Sequence, residues 1–290
     1  MRKLMLPLVV LATASVAHAQ DMATEVKATE VVPGIYLFEG VDGFSSNMGA
    51  LIGDDHVLLI DNGMAHITAS LVATVQELAG RPIDYVVNTH MHGDHVGSNA
   101  ALAGDGATIF AHDNLRSRLV DKPELAGGPA GLPVVTFADK MTFHVNGQTA
   151  IAYHFAHAHT DGDSVIHFPE ANVIDAGDLF FNAQVPFIDL DSGGSVDGFI
   201  VGQQHIIAMA DGNTKIIPGH GPLGSRSDLE VSVNMLMDAR SRVQELVDAG
   251  RSQDEAVAAN PLANYREEWD WFFINGDKLT ATIYRELTAE

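Results

Sequence analysis

The chain has 290 residues, 46% of them hydrophobic, with ordinary glycine and proline content, which fits one sizeable globular domain and excludes a disordered or low-complexity protein. Its 38 Asp+Glu against 16 Lys+Arg give a net charge of −22, a surface that repels phosphodiester backbones, so nucleic acid is not an expected partner. Cysteine is absent, which rules out disulfides and a thiol nucleophile.

Residues 1–19 read as a secretory signal peptide: Arg2 and Lys3, an apolar stretch over 4–10, then Ala17-His18-Ala19 as an A-x-A cleavage site. The apolar stretch is too short to span a bilayer. Residues 20–290 are then a single domain, periplasmic or secreted, with no membrane attachment after leader cleavage and 14 Lys+Arg against 38 Asp+Glu, a net of −24. Within it, 35–38, 48–52 and 57–60 read as strands of a first sheet. Residues 67–78 have helical spacing and stop at Gly80-Arg81-Pro82. Strand 85–87 leads into a His-rich loop, followed by a short helix over 96–102, a strand over 108–111, a helix over 112–120 and a loop over 123–133. Strands are expected at 141–145, 149–155, 164–168 and 172–174. Ser195 caps a helix over 196–210, a strand follows at 215–217, and 226–249 and 252–288 are read as amphipathic helices. No repeat or linker interrupts the pattern, and strands mixed with helices in this order indicate a layered α/β fold.

The His-rich loop is His90-Met91-His92-Gly93-Asp94-His95, four metal-binding side chains within six residues directly after an apolar run. A catalytic zinc site takes imidazole and carboxylate ligands and keeps one position open, so more ligands are needed than one loop supplies. Three further apolar runs end in candidate ligands: His157-Ala158-His159-Thr160-Asp161-Gly162-Asp163, Asp175-Ala176-Gly177-Asp178, and Pro218-Gly219-His220-Gly221. Loops held at the ends of strands are where catalytic side chains collect.

This order, His-x-His-x-Asp-His, a Gly-Asp turn and then Pro-Gly-His-Gly, resembles the metallo-β-lactamase-fold hydrolases from residue 30 to about 225. The resemblance implies an αββα sandwich with the metal site along one edge of its two sheets. It implies two Zn2+ per chain: His90, His92 and His159 on the first, Asp94, His95 and His220 on the second, and Asp178 bridging them. Asp61 matches the family's buried aspartate that supports the metal loop from behind the ligands. The spacing agrees with this assignment. Residues two apart in an extended loop point the same way, and Gly93 permits the turn that aims Asp94 and His95 at a neighbouring ion. The implied chemistry is attack of a metal-bridging hydroxide on a carbonyl, with Asp94 orienting it.

For substrate, Phe44 in a Gly-hinged loop over 41–46 and Phe181 in the loop over 179–194 are the expected pocket residues. Where the zinc β-lactamases of the best-known subclass carry a cysteine ligand, this chain has Asp178. Their substrate-anchoring lysine three residues later is replaced by Phe181, and no Lys or Arg occurs over 179–200. The expectation is an exported dinuclear zinc hydrolase of small molecules that opens a carbonyl C–N or C–O bond. β-Lactam hydrolysis, as a main or secondary activity, is the first guess. A lactonase or esterase of the same fold and a mononuclear iron persulfide dioxygenase are the alternatives. The remaining histidines (His56, His66, His112, His144, His167, His205) lack ligand spacing and are expected to be structural, His154 is left open, and His157 is expected at the rim. Trp269, Trp271, Phe272 and Phe273 are expected to form a C-terminal core patch. Oligomeric state has no signature in the sequence.

Overall fold

The structure is a computed structural model that describes residues 24–41 and 43–289; the expected signal peptide lies outside the described residues. Two sheets pack face to face. The first is formed in strict chain order by β1 (Glu25–Val32), β2 (Ile35–Val41), β3 (Met48–Ile52), β4 (Val57–Ile60), β5 (Tyr85–Val87), β6 (Thr108–His112) and β7 (Val135–Phe137). The second contains β8 (Lys140–Val145), β9 (Gln148–Phe155), β10 (Asp163–Phe168), β11 (Val173–Asp175), β12 (Lys215–Ile217) and β13 (Gly224–Ser225), in the order β13-β12-β11-β10-β9-β8. Strands β4 to β7 run parallel, and so do β11 and β12, while the other neighbours are antiparallel.

The layering follows from which residues alternate. In β4, Leu58 and Ile60 join the core between the sheets, together with Leu37, Val87, Ile166, Phe168 and Ile217. Val57 and Leu59 point the other way, into a core completed by Leu71 and Val75 of α1 (Thr68–Ala79). With both faces covered, the strand becomes the unbroken apolar run Val-Leu-Leu-Ile, as parallel strands do. On the far side, Val165, Ile174 and Ile216 pack under helices that supply Ile206 and Leu229. The result is helix, sheet, sheet, helix: the expected αββα sandwich.

The short helices α2 (Gly93–Val96), α3 (Asn99–Gly104) and α4 (Asp113–Asp121) follow β5 and β6. Helix α5 (Val196–Met209) starts at Ser195, whose Oγ accepts from Gly198 N, and α6 (Arg226–Asp248) opens with a reciprocal Ser225–Asp228 capping box. Gly80, at φ 64°, closes α1 in the left-handed conformation that glycine adopts without cost.

Several expectations need correction. β1 is an added edge strand; its sequence EVKATEVV leaves half of its side chains exposed and only Val26 buried, and so carries no clear apolar signal. Strands β7 and β13 are also additional. The 96–102 helix is displaced into α2 and α3. The stretch 252–288, expected to be helical, is broken into α7 (Gln253–Ala258), α8 (Arg266–Trp269) and α9 (Gly276–Leu287). Asn260 sits at φ 50° and Pro261 cannot donate to a preceding turn, which ends α7. The second break, around Trp271, bears on the site.

Candidate metal centre

All the candidate ligands lie at the carboxyl ends of strands. The His90–His95 loop follows β5, His159 lies in the turn between β9 and β10, Asp178 follows β11 and His220 follows β12. The parallel runs point these ends in one direction, so residues up to 130 positions apart (His90 to His220) meet on one edge of the sandwich. All seven predicted ligands are brought together, in two groups whose donor atoms lie within 4.8 Å of one another: His90, His92, His159 and Asp178, and Asp94, His95 and His220.

Asp178 joins the groups. Its Oδ2 stands 3.4 Å from His159 Nε2 and 3.6 Å from His90 Nε2. Its Oδ1 stands 3.2 Å from His95 Nε2 and 3.5 Å from His220 Nε2. Asp94 Oδ2 is 3.3 Å from His220 Nε2 and 3.6 Å from His95 Nε2. Donor atoms about 2.0–2.1 Å from one tetrahedral zinc stand about 3.3–3.4 Å apart, so these spacings suit shared cations. His90 Nε2, His95 Nε2 and Asp178 Oδ1 are buried yet lack a hydrogen-bond partner. Buried polar atoms without partners are costly and uncommon, and three gathered around the Asp178 carboxylate fit a metal centre.

The outer nitrogens of His90, His92, His95 and His159 are occupied, which fixes the inner ones. His95 Nδ1 is 2.7 Å from Asp61 Oδ2, and His159 Nδ1 donates to Phe187 O at 2.8 Å. His90 Nδ1 lies 3.0 Å from Thr89 Oγ1. His92 is turned over: its Nε2 meets Asp189 Oδ2 at 3.0 Å, and its Nδ1 faces His159 Nε2 at 2.9 Å. Such outer partners set ring orientation and ligand basicity. Asp61 lies behind the His90–His95 loop, in contact with a candidate ligand. Its carboxylate also accepts from Thr89 N at 2.7 Å and Thr89 Oγ1 at 2.6 Å, and its φ of 57° aims it back under the loop.

The electrostatics separate the two groups. Burial pushes His90 well below the ordinary histidine range and His159 down to about 4, so both are neutral imidazoles ready to ligate. Burial acts in the same direction on His95 and His220, but Asp178 and Asp94 beside them prevail. His95 is raised well above the ordinary range and His220 to about 9. That half of the pocket favours positive charge, which a cation supplies. Asp94 is held at about 2: burial opposes ionisation, and the charge of His95 with the His220 hydrogen bond outweighs it.

Two residues not singled out in the sequence hold the loops. Asp189 orients His92. Asn47 Nδ2 donates to Pro218 O at 2.9 Å and Gly221 O at 2.8 Å, clamping the His220 turn against β3. Neither has a local signature, although Asp189 sits in the loop marked for its phenylalanines. His157, expected at the rim, is instead exposed with its Nδ1 against Gly193 O, and His154 stacks on His112 at 3.5 Å, away from the ligands.

Above the ligands opens a cavity of about 410 Å³ lined by Phe44, Met64, Phe181, Phe187, Trp271, Phe272 and Phe273 around His92, Asp94, Asp178 and His220. Phe44 is a wall residue as expected, stacked on His220 at 5.5 Å. Phe181 also faces the cavity, but only 1% exposed, wedged beneath His220 at 5.2 Å; it supports a ligand more than it offers a surface. The expected C-terminal core patch is half wrong. Trp269 is in the core, whereas Trp271, Phe272 and Phe273 form the cavity wall.

The metallo-beta-lactamase superfamily model matches residues 41–222. Among curated proteins, a hydroxyacylglutathione hydrolase of Polaromonas sp. (strain JS666) is 28% identical over 144 residues, 49% of each chain, so the matched stretch spans about half of that relative. Among solved structures, a metallo-beta-lactamase from Pontibacter korlensis aligns over 74% of this chain and all of that one, with a TM-score of 0.66 and 20% identity. The DIM-1 metallo-beta-lactamase aligns over 75% of this chain and 99% of its own, with a TM-score of 0.63 and 18% identity. At those identities the structures speak to the fold, and the family match covers well over half of the sequence. The chain belongs to the metallo-beta-lactamase superfamily.

Proposed function

We propose that the chain is a dinuclear zinc hydrolase that opens a carbonyl C–N or C–O bond in a small molecule. The observation that carries this reading is the convergence of partnerless buried donors on both oxygens of Asp178, at the floor of an apolar cavity. Bound zinc supplies Lewis acidity toward a carbonyl oxygen and makes water acidic enough to attack at neutral pH. The protein supplies the rest. Asp94, ionised and lining the cavity floor, orients the attacking water and relays its proton. Asp61, Thr89, Asp189 and the Phe187 carbonyl hold the ligand rings so that no reorganisation is needed during reaction. The aromatic walls exclude bulk water.

A β-lactam ring is the first substrate to test. The cavity lining contains no Lys or Arg, so a substrate carboxylate finds no cationic anchor among the walls and KM should be high. The same observation favours a second reading, a neutral lactone or ester. Nitrogen and oxygen ligands also accept iron or manganese, and a single iron would move the chain to oxygen chemistry. The test is metal analysis of the purified protein together with a panel of nitrocefin, penicillins, carbapenems, lactones and aryl esters. Two zincs with turnover of any of these sustain the proposal; one metal under zinc excess, or no hydrolysis, refutes it. Export to the periplasm or medium is part of the same proposal, and the N-terminal sequence of the protein recovered from cell fractions tests it.

A further inference from the structure

The turn between α8 and α9 lies beyond the segment matched by the family model, yet it builds most of one wall of the cleft. Trp271 is pinned by Nε1 to Val185 O at 2.8 Å and by its backbone N to Ile274 O at 3.0 Å. It thereby lies against the candidate ligand His220 at 5.6 Å and against Phe44 at 6.0 Å. Phe272 meets Phe44 edge to face at 4.9 Å, and Phe273 meets Phe187 at 5.4 Å; Phe187 in turn is 5.6 Å from His92. Phe272 and Phe273 are 53% and 42% exposed. Aromatic rings thus run from the ligands to the solvent mouth. Adjacent exposed phenylalanines are costly in water and mark a surface that a ligand covers.

The polar groups lining the cavity are the candidate ligands themselves. The nearby cation, Lys278, is spent: its Nζ donates to Phe273 O and stands 5.2 Å over the Phe273 ring. Anything a substrate carries beyond its scissile carbonyl therefore meets ring faces, ring edges and Met64. A volume of about 410 Å³ holds a carbonyl head and one flat ring, at the small end of ligand pockets.

We propose that the Trp271-Phe272-Phe273 turn is a specificity wall that selects substrates carrying a neutral aryl group beside the scissile carbonyl, over short-acyl and anionic ones. This rests on the reading of the cleft as a hydrolytic metal centre, so the test is made on binding and needs no turnover. The probes share one metal-chelating head: acetohydroxamate, phenylacetohydroxamate and 4-carboxyphenylacetohydroxamate. They are titrated into zinc-loaded protein by calorimetry and by quenching of Trp271, with Trp271→Phe as the emission blank. The phenyl probe should bind at least about tenfold more tightly than the acetyl probe, since a ring contact adds about two- to tenfold beyond its area burial, and the carboxylate should cancel most of that gain. Phe272→Ala, at a half-exposed position, should weaken phenylacetohydroxamate binding several-fold more than acetohydroxamate binding and so reduce the phenyl advantage. Equal affinities for the acetyl and phenyl probes, or an equal loss for both in Phe272→Ala, overturns the wall. Phenyl binding that survives removal of zinc by chelator supports the wall and removes the metal-centre reading. Failure of both probes to bind refutes both.

Discussion

Replacing Asp61 by asparagine isolates one proton position. The carboxylate accepts three hydrogen bonds, from Thr89 N, Thr89 Oγ1 and His95 Nδ1, at 2.6–2.7 Å. Asparagine keeps the shape and tolerates the φ of 57°, so the backbone has no reason to move. Its Oδ1 can still accept from Thr89 N, but its amide then presents N–H toward His95 Nδ1, which can no longer donate. His95 has to shift its proton to Nε2, the atom 3.2 Å from Asp178 Oδ1. A protonated Nε2 cannot ligate. Loss of such an outer partner costs about 10–100-fold in metal affinity, or about 1.4–2.7 kcal/mol. The loss should fall on the group formed by Asp94, His95 and His220 and spare that formed by His90, His92 and His159. Zinc competition against a chromophoric chelator resolves the two affinities, and nitrogen-15 shifts of histidine report the His95 tautomer. Wild-type affinity at both positions, or prior loss from the His90 group, would refute the argument. Asp61→Ala is a harsher change: it adds left-handed strain and leaves the two Thr89 donors and His95 Nδ1 buried without an acceptor, at about 1–3 kcal/mol for each group.

Gly219→Ala should abolish metal retention, because a Cβ there would lie 1.9 Å from Asp178 Oδ1 and 2.8 Å from the Gly177 carbonyl carbon; metal content beside a circular dichroism melt checks this. Phe181→Lys, which would imitate a carboxylate anchor, should instead destabilise by about 3–5 kcal/mol, the range for an uncompensated buried charge. The site is 1% exposed and ringed by His159, His220 and Trp271, and a urea midpoint equal to wild type would contradict it. His92→Ala should bind one ion at most and lose nearly all turnover, measured by emission spectroscopy and the panel above. Burial raises Asp163 to about 8 against hydrogen bonds from Thr160. A raised carboxyl stabilises the fold fully only below its unfolded pKa of about 3.9, and that stability is lost as pH rises through about 8. The melting temperature should therefore fall over this window more steeply for wild type than for Asp163→Asn, and parallel curves would count against an unpaired buried carboxyl.

The sequence alone marked four of the candidate ligands, since three histidines and an aspartate at fixed offsets are a local feature written in six consecutive residues; His159, Asp178 and His220 are implied by the family resemblance. It also determined the strands buried on both faces, because Val-Leu-Leu-Ile and Tyr-Val-Val admit no solvent-facing side, and helix starts such as Ser195 and Ser225, whose caps act within three residues. The tertiary structure decided what depends on residues far apart. His92 offers Nδ1 because Asp189, 97 positions away, takes its Nε2. The His220 turn is held by Asn47 from 171 and 174 positions away. Reading residues 252–288 as helical throughout passes over Asn260-Pro261 and Asn275-Gly276, turn dipeptides at which the chain does break. The hydrogen bond from Trp271 Nε1 to Val185 O crosses 86 positions and turns an expected core patch into a wall of the cleft. A periodic pattern records that a side chain is buried. Whether it is buried in the core or beside a cavity depends on what the rest of the chain brings to face it.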